Sequence, residues 1–354
     1  MSGDRTTTAP ATGDSATHPY DALLVVSFGG PEGPDDVLPF LQNVLAGRPI
    51  SAERLQEVAT HYQYFGGVSP LNALNRELIQ SLDNLLKTEG PRLPIYWGNR
   101  NWRPLLPDTL RAMADDGVRR ALAFFTSAFS SYSGCRQYLE DIQRARAAVG
   151  PAAPVVEKLR AFFNHPGFIE PMVELAKTAL AKIPADRRAA AKIIFTAHSI
   201  PLSMVAGCAY VEQFREAAGL VSTGLGRDGW YLAYQSQSGS PSQPWLAPDV
   251  RDYITQLHRQ EDFKDALVIP LGFVSDHMEV QYDLDVELRE LCDELGVNMV
   301  RAATVGDHPR FVRMIRELIL ERITASADRP ALGNLGPCPD VCPVDCCLRD
   351  TILP

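Results

Sequence analysis

Apolar residues run along this chain in short blocks, each closed by a turn signal and followed by apolar positions recurring every three or four residues. The first block, residues 20–28, passes through Gly29-Gly30-Pro31 into an amphipathic segment over 35–45. Blocks at 93–98, 120–126, 191–197, 230–235 and 266–273 predict further strands, since a few apolar residues bounded by turns suit a buried strand. Helical spacing predicts helices over 52–61, 71–88, 105–116, 138–148 and 167–182. Strands alternating with helices imply an α/β fold with parallel sheets, and their number implies two sheets.

The pattern breaks at 159–167, where Arg160-Ala161-Phe162-Phe163-Asn164-His165-Pro166 fits neither period. We therefore expect an N-terminal domain over 19–163 and a C-terminal one over 164–306, after a disordered polar tail at 1–18. A closing helix over 307–324 is able to pack on either domain, and 325–354 reads as a linker into a cysteine-rich tail.

Composition narrows the function classes. The 354 residues are 45% hydrophobic, enough for a large core. A net charge of −9, from 34 basic and 43 acidic residues, argues against nucleic acid as a partner. No apolar stretch approaches the roughly 20 residues that span a bilayer, and the polar start lacks a signal-peptide core, so a cytoplasmic protein is expected. In that compartment seven cysteines argue for metal rather than disulfides. Cys338, Cys342, Cys346 and Cys347 crowd the tail, while Cys135, Cys208 and Cys292 are dispersed.

The chemistry concentrates after the block at 266–273. Glu279, Asp283 and Glu287 fall four residues apart, so on a helix they form a ladder along one face. Like charges at that spacing repel by a few tenths of a kcal/mol per pair, which calls for open solvent or a compensating cation. A solvated acidic face is the plain alternative. Ser275-Asp276-His277 marks a helix start at the end of a buried strand, where ligands bind in open α/β sheets. His198 ends the block at 191–197 and holds the equivalent crest position. An imidazole facing carboxylates suits a transition metal or proton abstraction, whereas a lone histidine is as often packed or solvated.

Tyr234 to Gly239 and Trp245 offer a wall for a flat ligand, although Trp245 serves equally as core. The N-terminal half adds Tyr62, Phe65-Gly66-Gly67-Val68-Ser69-Pro70 and Gly98-Asn99-Arg100-Asn101-Trp102. Loop arginines beside glycines suit bidentate binding of carboxylates, and are more often simply solvated. Gly29-Gly30-Pro31 lacks the G-x-G-x-x-G spacing, which argues against a dinucleotide site.

Five segments in order resemble the ferrochelatase family: Leu24-Val25-Val26-Ser27-Phe28-Gly29-Gly30-Pro31, Phe65 to Leu71, Phe195-Thr196-Ala197-His198-Ser199-Ile200-Pro201, Gln235-Ser236 with Pro244-Trp245-Leu246, and Asp276-His277-Met278-Glu279 through Asp285. The likeness spans residues 20 to 323. It implies two Rossmann-like lobes around a porphyrin cleft, and insertion of substrate Fe²⁺ into the ring with loss of two pyrrole protons. It assigns catalysis and metal contact to His198 and Glu279, and metal delivery to Asp283 and Glu287. The lobes are expected to pucker the macrocycle and expose its nitrogens. Phe28, Tyr234 and Trp245 match segments against the ring, and Arg48, Ser69, Arg100 and Tyr138 are candidates for propionate contacts.

The resemblance extends to particular relatives. Segments around Arg100 and Tyr138 look actinobacterial, which implies coproporphyrin III, with protoporphyrin IX the alternative. Several relatives using coproporphyrin carry a tyrosine able to ligate iron where this chain has Phe28, so iron entry or binding must rest more on His198. Some relatives hold a [2Fe–2S] cluster on one body cysteine and three from the tail. Here these are Cys135 with Cys342, Cys346 and Cys347, Cys338 being the alternate, and zinc on the same thiolates stays open. Transient contact with other enzymes of the haem pathway is implied. Two further functions stay open: a chelatase for another metal or ring, and a non-catalytic tetrapyrrole or iron carrier.

Overall fold

The first apolar block becomes β1 (Ala22–Ser27), all six residues buried, as a parallel strand covered on both faces must be. The computed structural model describes residues 19–46, 52–237 and 243–349. From β1 the chain runs through α1 (Val37–Val44), α2 (Ala52–Tyr64), α3 (Leu71–Glu89), β2 (Ile95–Asn99), α4 (Leu106–Asp115), β3 (Arg120–Phe125), α5 (Gln137–Val149) and β4 (Val155–Lys158). A second lobe follows with α6 (Pro166–Leu180), β5 (Lys192–His198), α7 (Leu202–Val205), α8 (Tyr210–Gly224), β6 (Tyr231–Gln235), α9 (Val250–Glu261), β7 (Asp265–Ile269), α10 (Met278–Val280), α11 (Leu288–Glu294) and β8 (Asn298–Arg301).

Each lobe holds one parallel sheet of four strands, ordered β2-β1-β3-β4 and β6-β5-β7-β8. These are the two Rossmann-like lobes anticipated from the sequence. In each the chain winds one way from its first strand and then the other, so the carboxyl ends of β1 and β3, and of β5 and β7, border a crevice where loops diverge.

Five elements depart from the periodicity. The edge strands β4 and β8 are four residues long and only partly buried, too short for an apolar run. In α8, Gly219 and Gly224 with Ser222 and Thr223 dilute the helical signal, and α9 is mostly polar. The strand expected to reach residue 273 stops at Ile269, because Pro270 has no N–H to donate and Leu271 turns back to the Ile269 carbonyl at 2.8 Å.

The closing helix, α12 (Pro309–Thr324), packs on α3 of one lobe and α6 of the other. Phe311 on α12 joins Phe124, Phe162 and Phe168 in a cluster with ring centroids 5.4 to 6.2 Å apart. Beside it Arg160, in the expected boundary segment, donates to both oxygens of Glu321 at 2.7 and 2.8 Å, and both side chains are buried. Among the described residues no helix is long and apolar enough to cross a membrane.

Candidate active site at the crest of the second sheet

The end of β5 and the loop after β7 bring His198 and Glu279 together. Gly272 makes the approach possible: its N–H donates to the Thr196 carbonyl at 2.9 Å, and a Cβ there would stand 2.5 Å from the Ala197 Cβ. Past it, the chain re-enters a helix at Met278, with Glu279 in its first turn, where a carboxylate suits the helix dipole. Glu279 Oε2 lies 3.5 Å from His198 Nε2, and the two side chains are 44% and 35% exposed, open on one side.

His198 Nδ1 contacts the Ser199 carbonyl oxygen, which only accepts, so Nδ1 carries the hydrogen and Nε2 faces Glu279. Burial disfavours the imidazolium, but the hydrogen bond and charge of Glu279 outweigh it and raise the His198 pKa. Burial likewise opposes the Glu279 carboxylate, and His198 overrides it, bringing Glu279 down to about 2. The Tyr210 hydroxyl fixes this end of β5 by donating to the His198 carbonyl at 2.9 Å.

The ladder is wound differently from the expected α-helix. Residues Gln281–Glu287 form a π-helical segment, whose wider turns are made by i→i+5 hydrogen bonds, and four residues still nearly close one turn. Arg301 pins its outer side, donating to Asp276 at 2.9 and 3.1 Å and to Asp285 at 2.7 and 2.8 Å. Glu279, Asp283 and Glu287 then point the other way. Asp283 takes the Ser236 hydroxyl hydrogen, and burial, with the charges of Glu279 and Glu287, pushes its carboxyl up to about 7. Ser236 pays for that contact with a left-handed backbone, φ 62°. Glu287 is ion-paired with Arg251 at 3.0 Å.

Several further residues are brought to this site by the fold. Tyr62 of α2 is buried beside Glu279 and Asp283; burial and then their charges raise its phenol pKa well above the ordinary value. The His61 ring stacks on Tyr282 at 3.9 Å, so the first lobe covers the acidic file. His277, whose pKa burial lowers, packs edge-on against Phe273. His277 sits within the recognised motif, but Tyr62, His61 and Arg251 arrive through packing between distant elements.

The sequence-predicted wall divides. Phe28, Arg100 and Tyr138 do come together: the Arg100 guanidinium lies 5.7 Å from the Phe28 ring centroid and 4.6 Å from that of Tyr138, ion-paired with Asp141. Ser69 is buried against Gly30, and Tyr234 packs in the core against Phe214. Trp245 is half-buried and bridges to Pro201. Arg48 and Gly239 lie outside the described residues.

A second group of polar side chains gathers where the tail folds back. The Cys342 thiol hydrogen-bonds those of Cys135 and Cys346, and Cys346 Sγ lies 3.4 Å from Cys347 Sγ. Cys338 stands to one side, accepting from Gln213 at 3.5 Å. The hydrogen bond from Cys135 and the ammonium of Lys158 hold Cys342 down at about 5, against burial. Lys158 is itself buried, donating to the Pro339 carbonyl at 3.3 Å. Four thiols and a buried cation fit a thiolate-held metal group in donor type and charge. The thiols are linked pairwise rather than closed into a cage, and among the described residues no three His, Cys, Asp or Glu side chains are set to hold a metal ion.

Known proteins share this chain's length and order. The sequence model of a family described as Ferrochelatase matches residues 20–323. A protein of Rhodopirellula baltica named ferrochelatase is 55% identical over 93% of this chain and 94% of its own. A coproporphyrin III ferrochelatase of Streptomyces griseus is 49% identical over 93% of each. Among solved structures, SirB from Bacillus subtilis with Fe³⁺ shares the fold, with a TM-score of 0.51 at 12% identity over 85% of this chain and 95% of that one.

Proposed function

The chain belongs to the ferrochelatase family, enzymes that insert iron into a porphyrin in haem synthesis, and within that activity we propose that coproporphyrin III is the ring and His198 with Glu279 the proton-handling pair. The observation carrying the pair is the 3.5 Å approach of Nε2 to the Glu279 carboxylate at the strand crest. With its Nδ1–H committed to Ser199, neutral His198 turns the Nε2 lone pair toward the cleft, where it takes a pyrrole proton. The ionised Glu279 then holds the imidazolium. Asp283, near pH 7 half-ionised, is the next acceptor and, with Glu287, lines the path for Fe²⁺. Oxygen ligands hold Fe²⁺ loosely enough to release it to the ring nitrogens. Coproporphyrin III is favoured because actinobacterial relatives of nearly equal length bear that name.

Anaerobic incubation with Fe²⁺ and each porphyrin, followed by the visible bands, tests both parts. Coproporphyrin III should turn over with the higher kcat/KM; a preference for protoporphyrin IX overturns the substrate. His198→Ala and Glu279→Gln should each lower kcat/KM by about a hundredfold or more, and full activity in both rejects the pair.

Cys135, Cys342, Cys346 and Cys347 would hold a [2Fe–2S] cluster, supported by their convergence beside Lys158, with Cys338 as alternate. Bound, it supplies one-electron chemistry. Purified protein should contain iron and acid-labile sulfide and lose both in Cys135→Ser; zinc without sulfide rejects the cluster. Seven free cysteines fit the reducing cytoplasm proposed as its setting, where transient contact with other haem-pathway enzymes would pass the ring along.

A further inference from the structure

The outer end of the acidic file is held by a cation for which the proton chemistry has no use. Arg251 stands in the first turn of α9, where the helix dipole disfavours positive charge. Two carboxylates hold it there. Asp249 Oδ1 caps the helix by accepting the Arg251 backbone N–H at 2.9 Å and lies 3.4 Å from Nε, while Glu287 Oε2 lies 3.0 Å from Nη1. Asp249 is in turn bridged to Tyr234, next to Gln235 and Ser236, which contact Asp283. Burial works against the guanidinium charge, and Glu287, Asp249 and Asp283 together outweigh it.

The pair is built to be broken. Arg251 and Glu287 side chains are 46% and 31% exposed, and a pair so open to water is worth at most about 1 kcal/mol. A divalent ion at the same carboxylate gains about twice the Coulomb energy of a single charge, whereas Na⁺ or K⁺ gains no advantage over the guanidinium. Asp249 keeps a partner for the guanidinium once Glu287 is released.

We propose that Arg251 is a positioning residue that occupies the outer rung of the iron path as a displaceable counter-cation, so that Fe²⁺ enters by exchanging with its guanidinium on Glu287. This rests on the reading of Glu279, Asp283 and Glu287 as the path for iron. In the resting enzyme Arg251 relieves the repulsion along the file, and it sets the threshold a metal must exceed to enter.

Steady-state kinetics of the full chain at saturating porphyrin test this. Arg251→Gln should lower the KM for Fe²⁺ about threefold, leave the KM for porphyrin unchanged, and be reversed by Arg251→Lys. Glu287→Gln should raise the KM for Fe²⁺, and adding Arg251→Gln to it should change that value little, because the two side chains act through one contact. An iron KM that is unchanged or raised in Arg251→Gln, while Glu287→Gln raises it, overturns the exchange and leaves the path standing. An iron KM unaffected by Glu287→Gln overturns the path and the exchange with it.

Discussion

Single side chains at this site are tuned by what surrounds them. Asp283 has an ordinary carboxyl in an unusual place, half-buried between two other carboxylates, and is pushed from 3.8 to about 7. Below that pH a proton competes with iron for it. The KM for Fe²⁺ should therefore fall as pH rises through about 7, and Asp283→Asn should flatten that dependence; an unchanged pH profile in the variant assigns the titration elsewhere. Stability has a definite sign too. Because the folded pKa lies above the unfolded one, the proton on Asp283 favours the folded state below about pH 4, and that advantage is lost as pH rises through about 7. The identities of His198 and Glu279 were legible because each follows a recognisable apolar block, but their pKa values were not. Those depend on a 3.5 Å contact between residues 81 positions apart.

Elements were legible where they are long and buried on both faces. β1, β3, β5 and β7 fill the centres of their sheets and carry mostly apolar runs. The edge strands β4 and β8 are short and half-covered, and periodicity passes over them. The four-residue spacing of the ladder predicts one face but not its π winding, because α and π turns both bring such residues close. What joins β5 to the ladder is the contact of Gly272 with Ala197. Gly272→Ala would force the backbone apart and should cost about 1–3 kcal/mol, as overpacking does. A lowered unfolding midpoint with a reduced kcat/KM is the expected result, and full activity would show that the crest adapts.

The two lobes are held as one molecule by α12 and the residues under it. The Arg160–Glu321 pair joins the segment between the lobes to α12, and its burial makes each partner depend on the other. Glu321→Gln leaves an uncompensated guanidinium in the interior and should destabilise by about 3–5 kcal/mol, measured as a lowered urea midpoint. A loss below 1 kcal/mol would show that Arg160 finds another partner, its contact with the Pro330 carbonyl being the nearest one present. Thiol proximity also belongs to this scale: Cys135 meets Cys342 because Arg136 donates to the Val344 and Cys346 carbonyls and Lys158 to that of Pro339.

Apolar spacing in the sequence determined the α/β class and the strand crests, and its ordered motifs determined the family and the pairing of His198 with Glu279. These are properties of short segments, each carried by a few neighbouring residues. Tertiary structure alone decided that Asp283 titrates near 7, that Tyr62 and His61 cover the acidic file from the other lobe, and that Arg251 holds its outer rung. Burial and charge act through space between residues far apart in the chain, and no local pattern records which of them will meet.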